Sequence, residues 1–154
     1  MGSEMCIRDR LIPIIKKLSD NGNDIIIAGD GKSFELIKKY FDNVQFIPFY
    51  SIHFKYSKNG LNIFNYFIIA FQMIWQTIYE HLKLKKIIKS YKIDIIISDN
   101  RYGLFNKNVT SYLITHQLNI ILPKYLSFAN PLANSYLKHY LKKYDHILIP
   151  DYQA

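Results

Sequence analysis

Three short segments gather the side chains that could do chemistry. They are Ala28-Gly29-Asp30-Gly31-Lys32-Ser33, Ser98-Asp99-Asn100-Arg101-Tyr102-Gly103 and Thr115-His116-Gln117. The second sets an acid, an amide, a guanidinium and a phenol beside one another. A sugar needs several fixed donors and acceptors and a ring to stack on, and these side-chain types supply both. Arg101 is also a forked partner for a phosphate. In the third segment His116 has the chemistry of a general base or of a donor to phosphate. Thr115 and Gln117 add a hydroxyl and an amide. The first segment resembles a phosphate loop only loosely, because it lacks the GxxxxGK[ST] spacing. Gly29 and Gly31 therefore read as turn residues leading into a helix. A purely structural reading is open for the second segment too, with Asp99 capping backbone N–H groups and Gly103 supplying a positive φ.

Several chemistries are excluded. Cys6 is the only cysteine, so neither a disulfide framework nor a cysteine zinc site is available. His53, His81, His139 and His146 show no ligand spacing, so no metal site is expected. No Ser-His-Asp order can be argued from these spacings. With 49% hydrophobic and 16% aromatic residues in 154, the chain is neither disordered nor of low complexity, and it can bury the core of one ordinary domain. The net charge of +8 is a weaker guide: only three of the 20 basic residues are Arg (Arg8, Arg10, Arg101). An A/T-rich coding bias enriches Lys together with Ile, Asn, Tyr and Phe, and scattered solvated lysines are the plain reading.

The elements that must position these segments follow from hydrophobic spacing. Leu11, Ile14, Ile15 and Leu18 mark an amphipathic helix, with Pro13 suited to its first turn and Asn21-Gly22-Asn23 ending it. Residues 24–29 read as a strand buried on both faces. Ser33 offers an N-cap for a helix over 34–41, and 44–47 read as a second strand before Pro48. An aromatic and basic loop follows over 49–60, with Tyr50, His53, Phe54, Lys55, Tyr56 and Lys58. Residues 60–79 carry no charge, but Asn62, Asn65, Gln72 and Gln76 fall on one helical face. That polarity argues against a membrane span and for a surface helix laying its dry face on the core. Residues 80–91 read as a basic amphipathic helix. Strands follow at 93–98 and 112–115, a helix at 131–144 and a strand at 146–149. Alternating strands and helices imply an α/β fold, Rossmann-like, with a mostly parallel sheet. In such sheets ligands bind beyond the carboxyl ends of the strands, which selects all three polar segments.

The segments at 95–104 (IIISDNRYGL), 114–118 (ITHQL) and 149–151 (IPD) resemble bacterial glycosyltransferases of the family 28 type. Residues 11–18 and 26–31 fit the same pattern. By contrast, residues 1–10, with Met5-Cys6-Ile7-Arg8-Asp9-Arg10, resemble the translation of a sequencing adapter and are expected to carry no fold information. The resemblance makes residues 11–154 a partial amino-terminal, acceptor-side domain of a GT-B fold lacking its first strand. It places a glycine-rich loop with a histidine before Leu11 and a donor-binding domain after Ala154, so this stretch alone is expected to transfer nothing. It implies a nucleotide-sugar donor, a saccharide or lipid-linked acceptor, no metal, no cofactor and no nucleic acid. A cytoplasmic location follows, with peripheral contact at the inner face of the membrane as a further expectation. The family's main catalytic residue falls on no position here, and by its own chemistry and its place at a strand end His116 is the catalytic candidate. Asp99, Asn100, Arg101, Tyr102, Thr115 and Gln117 are the substrate-binding ones. Two alternatives stay open: a nucleotide-sugar epimerase of the same fold, and a basic binding module for anionic lipid or nucleic acid.

Overall fold

The computed structural model describes residues 2–42, 44–50 and 63–150, in two compact units, Met1–His53 and Phe54–Ala154. The architecture is mixed α/β, and every strand pair is parallel. The expected single sheet is instead two: a pair in the first unit and a triplet in the second.

The first unit runs α1 (Gly2–Asp20), β1 (Ile26–Gly29), α2 (Gly31–Lys38) and β2 (Gln45–Pro48). Helix α1 begins well before Leu11, so Pro13 sits in its interior rather than in its first turn. Glu4, Met5, Arg8 and Arg10 are good helix formers, and they extend the helix upstream. At its other end Gly22 takes φ +77°. The amide of Asn23 donates to Leu18 O at 3.3 Å and that of Gly22 to Ser19 O at 2.9 Å, which closes the helix in a Schellman motif. Helix α2 begins at Gly31, whose φ is +67°, so Ser33 lies inside it and not at its cap. Ile27, Phe34 and Ile37 form the core, with Leu11, Ile15 and Phe46 packed against it. The Phe34 and Phe46 rings meet edge to face at 5.5 Å. Ala28 is exposed, so β1 is buried on one face only and not on both. A two-stranded ribbon with a single helical layer has one face to cover.

The second unit runs α3 (Ile63–Tyr91), β3 (Ile95–Asp99), β4 (Thr110–Ile114), a 3-10 turn (Lys124–Ala129), α4 (Asn130–Leu141) and β5 (His146–Leu148). Its strand order is β3-β4-β5. The two helices read from residues 60–91 are one continuous helix of 29 residues. The loop expected over 49–60 lies outside the described residues from 51 on. Within the described part Phe49 is buried and Tyr50 exposed. Leu84, Ile96 and Val109 join the carboxyl half of α3 to β3. Along β3, Ile96 and Ser98 are buried, while Ile95 and Ile97 on the other face are exposed.

The amino half of α3 is inverted relative to its expected orientation. Its polar residues turn inward: Asn65, Gln72 and Gln76 are half-buried, and beyond them Thr77 and Glu80 are buried, with the Thr77 hydroxyl 3.0 Å from the Tyr136 hydroxyl. Its apolar residues, Phe64, Phe67, Phe71 and Trp75 among them, face outward. Periodicity fixes that a helix has a wet and a dry face. Here a buried acid and hydroxyl with hydrogen-bonding partners decide which of them faces the protein. Among the described residues no helix is long and apolar enough to cross a membrane.

Candidate functional site

Strands β3 and β4 lie side by side with Asp99 opposite Ile114, so their carboxyl ends are flush. Asp99, half-buried, is the last residue of β3. The chain then turns at Asn100, which takes a left-handed φ of +55°, a conformation asparagine adopts more readily than most residues. Gly103, expected to supply the positive φ, does not; its smallness serves a close approach instead. A Cβ there would lie 2.5 Å from Thr77 O and 2.8 Å from Glu80 Cβ. The loop after β3 is thus pressed onto α3.

Four of the expected site residues meet at this rim. Thr115, fully buried just beyond β4, donates its hydroxyl to Asn100 Oδ1 at 3.0 Å and accepts the Gln117 amide at 3.1 Å. The Tyr102 hydroxyl lies 3.4 Å from Asn100 Oδ1, 3.3 Å from Thr115 Oγ1 and 3.4 Å from Gln117 O. One phenolic proton shared among three acceptors makes long, weak bonds, and the phenol oxygen keeps lone pairs for a ligand hydroxyl. Asn100 and Gln117 are exposed, and their side-chain N–H groups have no partner among the described residues. His116 is exposed beside them and stands outside the hydrogen-bonded web.

Arg101 does not join this group. Its guanidinium turns toward α3, with Nη1 3.5 Å from Oε1 of Glu80, itself only 3% exposed. Gln76 also donates to that oxygen, at 2.6 Å. The Arg101 carbonyl accepts the hydroxyls of Ser98 and Tyr144, both at 2.7 Å. Arg101 thus ties the loop down at both its ends. Burial pushes the Tyr144 phenol well above its ordinary pKa of 10, so it remains a donor to that carbonyl at every physiological pH.

Glu80 and Tyr144 were missed in the sequence. Glu80 left a faint signal as the lone acid of α3. Tyr144, 43 residues from Arg101, left none. The segment after Gln117 is also tethered: Asn134 Oδ1 accepts from Ile120 N and Asn134 Nδ2 donates to Ile120 O, both at 2.8 Å. Behind the loop, His81 stacks on Phe105 at 4.5 Å. Burial first, and then the charge of Lys85, hold its pKa below 6.5. An open concavity lined by Asn134, Lys138, His139 and Lys142 lies along α4, apart from the rim. Among the described residues no three His, Cys, Asp or Glu side chains gather in a way that would hold a metal ion.

The arrangement can grip a small, hydroxyl-rich ligand: two amides, a phenol and an imidazole stand along one flush strand edge. No protein-family model, curated protein or solved structure matches the chain.

Proposed function

We propose that this rim is the acceptor-binding half of a glycosyltransferase site, in the amino-terminal domain of a GT-B architecture acting in the cytoplasm. The observation that carries the reading is the web of Asn100, Tyr102, Thr115 and Gln117 across the flush ends of β3 and β4. Parallel α/β sheets bind ligands at that edge. Each strand order, β1-β2 and β3-β4-β5, is by itself the order of one flank of a doubly wound sheet.

In this reading Asn100 and Gln117 hold saccharide hydroxyls, and Tyr102 packs a sugar ring and accepts from a hydroxyl. Thr115 fixes the spacing of the two loops. Arg101 acts through Glu80 and Tyr144 as a positioning residue. His116 takes the proton of the acceptor hydroxyl as its oxygen attacks the anomeric carbon of a nucleotide sugar. The bond from that carbon to the diphosphate breaks, and the nucleoside diphosphate leaves with the electron pair.

The test is transfer of labelled sugar from a panel of nucleotide sugars to saccharide acceptors by the full-length gene product. His116→Ala is expected to lower turnover about a hundredfold or more, the lower end of a general base's contribution. Unchanged turnover in His116→Ala and Arg101→Ala would remove the site assignment. Turnover of the nucleotide sugar to an isomer with no acceptor present would favour the epimerase instead.

A further inference from the structure

We infer that α3 pairs with α3 of a second copy of this chain, antiparallel, through a seam of apolar side chains. Phe64, Ile68, Phe71, Trp75, Ile78 and Leu82 are all exposed, and the steps between them are four, three, four, three and four residues. A strict four-three alternation is the seam of a two-helix coiled coil, narrower and more regular than the apolar face of a helix laid on a core. At 1.5 Å per residue the seam is about 27 Å long. Phe67 and Ile74 flank it and are exposed too. Phe64 is 72% exposed, Phe71 68% and Trp75 60%. With about 150–250 Å² for a whole aromatic side chain, seam and flank together offer roughly 800 Å² per copy, the size of one side of a standard stable interface.

The seam is its own complement. Placed antiparallel about a two-fold axis at its middle, Phe64 meets Leu82 of the second copy, Ile68 meets Ile78 and Phe71 meets Trp75, and the axis repeats each meeting. Every layer is then apolar on both sides. No charged residue occurs from Ile63 to Tyr79, and Glu80 is buried on the opposite face, so closing the seam takes no charge out of water. Lys85 and Lys89 continue the same spacing and are exposed. Parallel pairing would set each lysine against its own copy, a contact between like charges. Antiparallel pairing carries both lysines past Ile63, the first residue of α3 in the second copy, and leaves them outside the seam. The lysines thus choose the direction that the apolar layers allow. This inference does not rest on the reading of the rim.

Trp75 is the only tryptophan of the chain and sits in a central layer, so its fluorescence reports on the seam directly. The experiment measures the mass of the intact chain by sedimentation equilibrium across a dilution series, with Trp75 emission read on the same samples. The mass should fall from that of two chains to that of one on dilution, while the emission moves from blue to that of a water-exposed indole over the same range. Phe71→Ser empties two layers at once through the two-fold axis and should weaken the dimer about a hundredfold or more. Leu82→Ser acts in the two end layers and should weaken it roughly tenfold. Direction is read with new cysteines in a Cys6→Ser chain. Ile68→Cys mixed with Ile78→Cys should cross-link through a short bismaleimide, and neither should cross-link with itself. All four seam positions are exposed, and far-UV circular dichroism checks that each variant folds. The inference is overturned by a chain that stays monomeric at every concentration, by blue emission in the monomer, or by a dimer that Phe71→Ser leaves as tight. A monomer whose emission turns blue only with phosphatidylglycerol vesicles overturns it too. Self-linking of Ile68→Cys alone overturns the antiparallel direction.

Discussion

Gly103→Ala tests how the candidate rim is held. The new Cβ would stand 2.5 Å from Thr77 O and 2.8 Å from Glu80 Cβ. Neither atom can give way, because the first is helix backbone and the second belongs to a side chain 3% exposed. Overpacking costs about 1–3 kcal/mol, and a clash with fixed atoms belongs at the upper end, about 2–3 kcal/mol. The measurement is urea unfolding followed at Trp75, which lies on the helix that the loop presses. With a slope of about 2 kcal/mol per molar urea, the midpoint falls by roughly 1 M. Gly22→Ala is the contrast, since Gly22 has φ +77° but nothing within 4 Å of the added Cβ. It should cost about 1 kcal/mol, from left-handed backbone alone, read by circular dichroism. A Gly103→Ala chain within about 0.5 kcal/mol of the parent, the scatter of ordinary surface changes, would refute the packing of the loop on α3.

Three further perturbations probe the same unit. Glu80→Ala removes the buried acceptor of Arg101 and Gln76 and should cost about 2–3 kcal/mol in urea unfolding, with Glu80→Gln costing about half as much. His81 has a folded pKa below its unfolded 6.5, so the unfolded chain binds the proton first and stability is lost as pH falls below about 6.5. His81→Phe should flatten that fall between about pH 7 and 5, and an equally steep fall in the variant would contradict the assignment. Lys92 takes φ +51° just past the end of α3, so Lys92→Gly should stabilise by about 0.5 kcal/mol, measured as a raised urea midpoint.

The strands that build the rim were readable because their cause is local. The β-branched run Ile95–Ile97 and the apolar run Tyr112–Ile114 each lie close to turn residues, and both fold as parallel strands. The rule that polar loops gather at carboxyl ends then brought Asn100, Tyr102, Thr115 and Gln117 together correctly. What stayed hidden depends on distant partners. Arg101 looked like a phosphate ligand because nothing in its neighbourhood announces Glu80, 21 residues away. Gly103 looked like a turn glycine, although the positive φ belongs to Asn100 and the close approach is to α3. The direction in which α3 faces was illegible for the same reason. Spacing reports two faces of a helix, and only its partners in space decide which of them is covered.

The central claim is that the edge after β3 and β4 binds a saccharide. It is tested most directly by following amide signals in isotope-labelled chain during titration with mono- and disaccharides. The account expects saturable shifts in the side-chain amides of Asn100 and Gln117 and in the backbone amides of Tyr102 and His116, all weakened by Tyr102→Ala. Shifts confined to the α4 concavity around Lys138 and Lys142, or none at any saccharide concentration, would contradict it.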